Sequence, residues 1–249
     1  MHKVLFISSI NTHFAHLLVL AKSLQSRGDF KCIFYFDLFG HDTTDVKKKC
    51  LAEGFHYYEG VVVDSETRSS RIAVNRRQER GVTSRFVRQV VRSIIIRFFS
   101  PIVHVMRAWS SLRVANQVTS EVAPQCIITA EDTGYIAPFF VKAAKSQGVI
   151  SITCPFSMAN HEELVGARKR HGRFKVGRSS IVKKVFLAAF PKWAIATPYG
   201  PILCNDWSVA LSLEIFRVAP QNPWQITGGN SDYVFVESED LGHIFRMIE

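Results

Sequence analysis

Several signatures that would assign a chemistry outright are missing from this 249-residue chain. The turn after its first apolar run, Ser8-Ser9-Ile10-Asn11-Thr12-His13, contains no glycine. A dinucleotide fingerprint or a phosphate-binding loop needs glycine there so that the backbone can approach a pyrophosphate. That absence argues against a nicotinamide, flavin or ATP enzyme using this turn, and neither a GxSxG elbow nor an HExxH pair occurs elsewhere. Cys32, Cys50, Cys126, Cys154 and Cys204 are odd in number and scattered, with no CxxC pair. A disulfide framework and a structural zinc are therefore not expected, and buried thiols in a reducing compartment are. No apolar run approaches the ~20 residues of a membrane span. The stretch 93–109 is interrupted by Arg97, Pro101, His104 and Arg107, and the start of the chain turns polar at Ser8, too early for a signal peptide.

Acid is lacking in two places. Residues 68–97 hold nine arginines and one acid, Glu79, and residues 168–184 hold eight cations and none. Each segment contributes +8 to a total of +10, so everything else carries −6. The chain reads as a mildly acidic body bearing two basic segments. In 82–99 the apolar Val87, Val90, Val91, Ile94 and Phe98 share one helical face, with Arg85, Arg88 and Arg92 clustered opposite. That pattern fits a core-packed helix with a solvated face, and equally a contact with an anionic membrane or anionic ligand.

What is present alternates. Apolar runs at 4–7 and 31–36 each precede a helical pattern, at about 12–25 and 43–53, closed by Gly28 and Gly54. The rhythm returns with a strand at 126–129, a helix at 135–147 closed by Gly148, a strand at 149–154 and a last strand at 233–236. Such βαβ alternation predicts an α/β, Rossmann-like open parallel sheet flanked by helices. A long, basic helical insertion is expected over 72–122, interrupted near Pro101.

Open parallel sheets bind ligands outside the carboxyl ends of their strands. Polar residues expected there are Asn11, Thr12, His13 and His16; then Glu131, Asp132 and Thr133; then Ser157, Asn160 and His161; and finally the stretch 227–232 with Asn230. Asn11, Thr12, Asp132 and Thr133 are also ordinary helix-capping types, and Gly228-Gly229 fits a turn needing positive φ. His13 is considered as a general base for its near-neutral titration. Glu131, an acid directly after the buried run CIITA, is the strongest candidate to bind a hydroxyl or move a proton.

The segments KVLFISSINTHFAHLLVLAKSLQSRG, PQCIITAEDTGYIAPFFVKAAKSQGVISITCPFSMANHEE and NPWQITGGNSDYVFVESED together resemble the N-terminal half of bacterial surface and capsular polysaccharide biosynthesis proteins. Those are similar to two-domain GT-B glycosyltransferases and nucleotide-sugar 2-epimerases. The resemblance implies an acceptor-side domain over 1–237 and a linker at 238–249, with the donor-binding half expected to be absent or supplied by a partner. It implies metal-independent sugar transfer from a nucleotide-sugar donor to a carbohydrate or lipid-linked acceptor, without a cofactor, in the cytoplasm or at the inner face of the plasma membrane. Glu131 or His13 would act as base, with Asn11, Thr12, Asp132, Asn160 and Asn230 positioning hydroxyls. The 2-epimerase stays open, as does a non-catalytic module docking on membrane. Nucleic acid is the less expected partner, because aromatics are not interleaved with the basic runs.

Overall fold

The computed structural model describes residues 1–37, 44–59, 82–134, 136–155, 161–177, 180–198, 200–225 and 227–235; for 82–99 and 161 it describes the backbone alone. In chain order the elements are β1 (His2–Ser8), α1 (Asn11–Gln25), β2 (Phe30–Phe36), α2 (Thr44–Ala52), β3 (His56–Glu59), α3 (Val82–Val122), β4 (Cys126–Thr129), α4 (Ala137–Ser146) and β5 (Ile150–Thr153). Then come α5 (His161–Arg168), α6 (Ile181–Ala189), the short pair β6 (Ala194–Ile195) and β7 (Ile202–Leu203), α7 (Trp207–Ile215) and β8 (Tyr233–Val234).

Six strands form one parallel sheet in the order β3-β2-β1-β4-β5-β8. The expected Rossmann-like sheet is thus what the chain forms. Its order turns at β1: successive strands first add on one side, through β2 and β3, then on the other, through β4 and β5. The β1/β4 boundary is therefore the topological switch point, where α/β sheets open a ligand crevice at their carboxyl edge.

Strand alternation explains why β1 reads as a continuous apolar run. Val4 and Phe6 face one layer, built with Phe14, Leu17, Leu18 and Ala21 of α1 and Cys50 of α2. Leu5 and Ile7 face the other, built with Ala115, Val118 and Val122 of α3 and Phe139, Phe140 and Ala143 of α4. A strand covered on both faces has no polar positions to spare. Three aromatic contacts orient the helices that follow the switch-point strands. Phe14, in the first turn of α1, meets Phe34 and Phe36 edge-on, each with centroids 5.3 Å apart, and Tyr35 lies 4.6 Å from Phe140 of α4. Each such pair adds roughly 0.5–1.5 kcal/mol to the gain from burial alone.

The helices end as the glycines require. Gly28, Gly54 and Gly148 all have positive φ, 80°, 77° and 68°, directly after α1, α2 and α4. One expectation is corrected. α3 runs through Pro101 without a break. Proline there gives up its own bond to the carbonyl four residues back and crowds that carbonyl, and the helix, which packs on α4 and α7, tolerates both. Residues 72–81 and 238–249 lie outside the described residues.

Candidate active site at the carboxyl edge

The registers place the polar residues. Ser8 is opposite Phe36 on one side of β1, and Ile7 is opposite Thr129 on the other. Extending both registers to the next residues sets Ser9 between Asp37, after β2, and Glu131, after β4. Ser9, Asp37 and Glu131 therefore follow the carboxyl ends of three adjacent strands across the switch point. On the β2 side the Asp37 amide donates to the Ser8 carbonyl at 3.2 Å.

Glu131 is unusual among these three. Its Oε1 is buried and has no hydrogen-bond partner among the described atoms. Burial, with the Asp132 charge beside it, pushes its pKa up to about 7. A buried carboxylate oxygen with no donor is costly, and holding a proton relieves that cost. Gly134 makes the space: a Cβ there would lie 2.8 Å from Oε1. Asp37 follows the same pattern, with burial raising its pKa to about 6. Sequence reading passed over Asp37, although the signal was the one that singled out Glu131, an acid directly after a buried apolar run.

His13 lies in the first turn of α1, 2% exposed. Burial, aided by the charge of His16, lowers its pKa to about 4. The expectation of near-neutral titration is therefore corrected: desolvation disfavours the imidazolium, and His13 enters neutral-pH chemistry as uncharged imidazole. The N-cap of α1 is Ile10, with no side-chain cap, so Asn11 and Thr12 are not capping residues. Both are exposed on the first turn.

Asp132 is committed to a structural contact. Fully buried, it accepts hydrogen bonds from the amides of Gly228 (2.6 Å), Asn230 (3.0 Å) and Ser231 (2.9 Å). Burial raises its pKa while the donors at Ser231, Gly228 and Asn230 oppose the rise. The α4 N-cap is Ile136, so neither Asp132 nor Thr133 caps that helix. The Asn230 side chain likewise turns inward, donating to the Val218 carbonyl at 3.2 Å. Asp132 thus ties the 227–231 loop to the segment after β4 and Asn230 ties it to Val218, contacts that engage both side chains expected to position hydroxyls. A buried chain of hydroxyls adds to these contacts: Thr129 Oγ1 lies 3.1 Å from Thr153 Oγ1, which lies 2.6 Å from Ser231 Oγ. Gly229 has φ of 84°, as a turn requires. Gly228 is small for another reason, since a Cβ there would meet Pro220 at 2.4 Å and Thr133 at 2.5 Å.

Ser157 and Asn160 lie outside the described residues. His161 opens α5 and Arg85, Arg88 and Arg92 lie in α3, all with backbone alone described. Among the described residues, no helix is long and apolar enough to cross a membrane.

No protein-family profile and no curated protein matches the chain. Solved structures do. The chain is similar to Phytolacca americana UGT2 complexed with UDP-2-fluoro-glucose and pterostilbene, at 12% identity and a TM-score of 0.44, over 99% of this chain and 57% of that one. It is similar to TcCGT1 in complex with UDP, at 11% identity and a TM-score of 0.39, over 70% and 33%. It is also similar to Acinetobacter baumannii MurG, at 13% identity and a TM-score of 0.36, over 62% and 35%. The chain therefore spans between about a third and somewhat over half the length of these structures. At such identities and scores the likeness carries nothing about chemistry.

Proposed function

We propose that the carboxyl edge of β2, β1 and β4 binds a hydroxyl-bearing, sugar-like acceptor, and that the chain is the acceptor-side domain of a GT-B-like glycosyltransferase in surface or capsular polysaccharide assembly. The observation that carries this reading is Glu131 at the switch point, whose Oε1 is buried without a hydrogen-bond partner among the described atoms and whose pKa burial raises to about 7. Such a group is matched to proton exchange with a hydroxyl at physiological pH. Deprotonated, it takes the acceptor's proton as the sugar is transferred. Asp37 offers a second oxygen ligand after β2, neutral His13, with Asn11 and Thr12, adds polar groups, and Asn160 is a further hydroxyl-positioning candidate on its place in the sequence. The resemblance of the three sequence segments supplies the reaction class. A nucleotide-sugar donor is held by a further domain or partner, and Arg85, Arg88 and Arg92 are suited by charge to an anionic lipid-linked acceptor or membrane. No cofactor or metal enters this scheme.

Saturation-transfer NMR on the full chain tests it directly. Ring protons of monosaccharides or oligosaccharides are expected to be saturated by the protein, the effect vanishing in Glu131→Gln, while UDP alone gives none. Binding led by the nucleotide, or sugar contacts indifferent to Glu131→Gln, would remove the acceptor-side reading.

A further inference from the structure

The sequence of α6, IVKKVFLAA, has the spacing of a core-facing helix, with apolar residues at positions 1, 2, 5, 8 and 9. In the structure that row faces outward. Ile181 is 72% exposed, Val182 55% and Val185 65%, with Ala188 and Ala189 exposed beyond them. Phe186 is the one residue of the helix that is fully buried. A helix that turns its larger apolar stripe to solvent lacks the partner for which that stripe is suited.

Charge identifies the partner. The segment leading into α6 carries exposed Lys169, Arg170, Arg173 and Lys175, exposed Lys184 follows in the helix, and no acid occurs between residues 168 and 184. Adjacency in space is explicit: Lys183 Nζ donates to the carbonyls of Arg173 (2.6 Å) and Lys175 (2.8 Å), which ties the basic loop to the first turns of α6. Phe174, buried beneath, has the Arg168 and Arg173 guanidinium groups over its ring, each 4.7 Å from the centroid. The loop is therefore a built platform.

We propose that α6 and the 168–175 loop form a docking surface for an anionic lipid bilayer, in which Ile181, Val182 and Val185 enter the headgroup and acyl boundary while the cations meet lipid phosphates. Branched aliphatic side chains suit an acyl boundary and offer bases nothing to stack on, which disfavours nucleic acid. The proposal does not depend on the transfer chemistry.

The test is co-sedimentation of the full chain with vesicles of phosphatidylcholine containing phosphatidylglycerol, against phosphatidylcholine alone. Binding is expected to the anionic vesicles only. Ile181→Ser with Val182→Ser and Val185→Ser should abolish it without lowering the melting temperature, because those side chains are already in water. Lys169→Gln with Arg170→Gln and Lys175→Gln should weaken partitioning on the order of a hundredfold, at roughly a factor of five for each cation near the surface. Raising salt from about 0.1 M to 1 M should act in the same direction as screening shortens. The proposal is overturned if the wild type ignores anionic vesicles or if the serine variant still binds them. It is equally overturned if sedimentation velocity shows a dimer that the serine variant dissociates, or if duplex DNA binds in a salt-dependent way that the serine variant leaves unchanged.

Discussion

Glu131 and Asp132 are consecutive carboxyl groups after one strand, and their surroundings are opposite. Asp132 is met by three amides of the 227–231 loop, whereas Glu131 Oε1 meets no donor and lies over the bare Cα of Gly134. The difference teaches how to tell a supporting acid from a working one. A carboxylate whose hydrogen bonds are supplied by the fold is spent on the fold. One that the fold buries and leaves unmatched is available to something that arrives later. His13 extends the contrast, because burial keeps it neutral by withholding a proton and keeps Glu131 neutral by retaining one.

The largest expected effect is on chemistry. Glu131→Gln should lower sugar transfer by about 10²–10⁴-fold, the usual contribution of a general base, in an assay reconstituted with the donor-binding domain. Unchanged transfer would erase the contrast with Asp132. Activity of the wild type should rise with pH through about 7 as Glu131 loses its proton.

Asp132→Ala should act on the fold instead. It leaves the buried amides of Gly228, Asn230 and Ser231 without an acceptor, at roughly 1–3 kcal/mol each before relaxation, so a total loss of about 3–5 kcal/mol is expected in urea unfolding. A loss below about 1 kcal/mol would show that the loop finds other partners. Gly228→Ala should imitate it, since Pro220 and Thr133 leave no room for a Cβ.

Two linkage experiments sharpen the comparison with His13. The Glu131 pKa is raised on folding from 4.5 to about 7, so its contribution to stability is present at low pH and is lost as pH rises across that window. The His13 pKa is lowered from 6.5 to about 4, so its contribution is present above 6.5 and is lost as pH falls. At about 1.36 kcal/mol for each pKa unit, wild type should lose about 3 kcal/mol relative to Glu131→Gln on going from pH 4.5 to 7. It should lose a similar amount relative to His13→Gln on going from pH 6.5 to 4. Chemical denaturation of the three proteins at several pH values checks both slopes, and slopes of equal sign would refute the opposed environments.

The smallest effect belongs to Gly134→Ala. The atom in the way is the tip of a flexible side chain, so less than about 1 kcal/mol of stability should be lost. The carboxyl must move, however, and transfer should fall by about tenfold or more, as misplaced groups typically cost. Full activity in this variant would show that the position of Oε1 is unimportant.

Much of the frame was legible in the sequence for a physical reason. A strand covered on both faces must be apolar throughout, so 4–7, 31–36 and 126–129 could be read without knowing their neighbours. Glu131 was legible because an acid ends such a run, and Asp37 was there to be read by the same rule. The task of Asp132 was not legible, since its donors lie nearly a hundred residues further along the chain. Nor was the orientation of α6. Helical spacing shows that a residue row shares a face, and only the packed structure shows whether that face is inside.

The registered strands carry one further consequence. β1 and β2 are joined through a single helix, while β4 reaches β1 only after the chain has passed through β3 and all of α3. Ser9 and Asp37 can therefore come together early, from local pairing, but Glu131 joins them only when a distant part of the chain has docked. The raised pKa of Glu131 is thus a property of the joined sheet and not of either half: a chain in which β4 has not yet docked beside β1 lacks the burial that raises it.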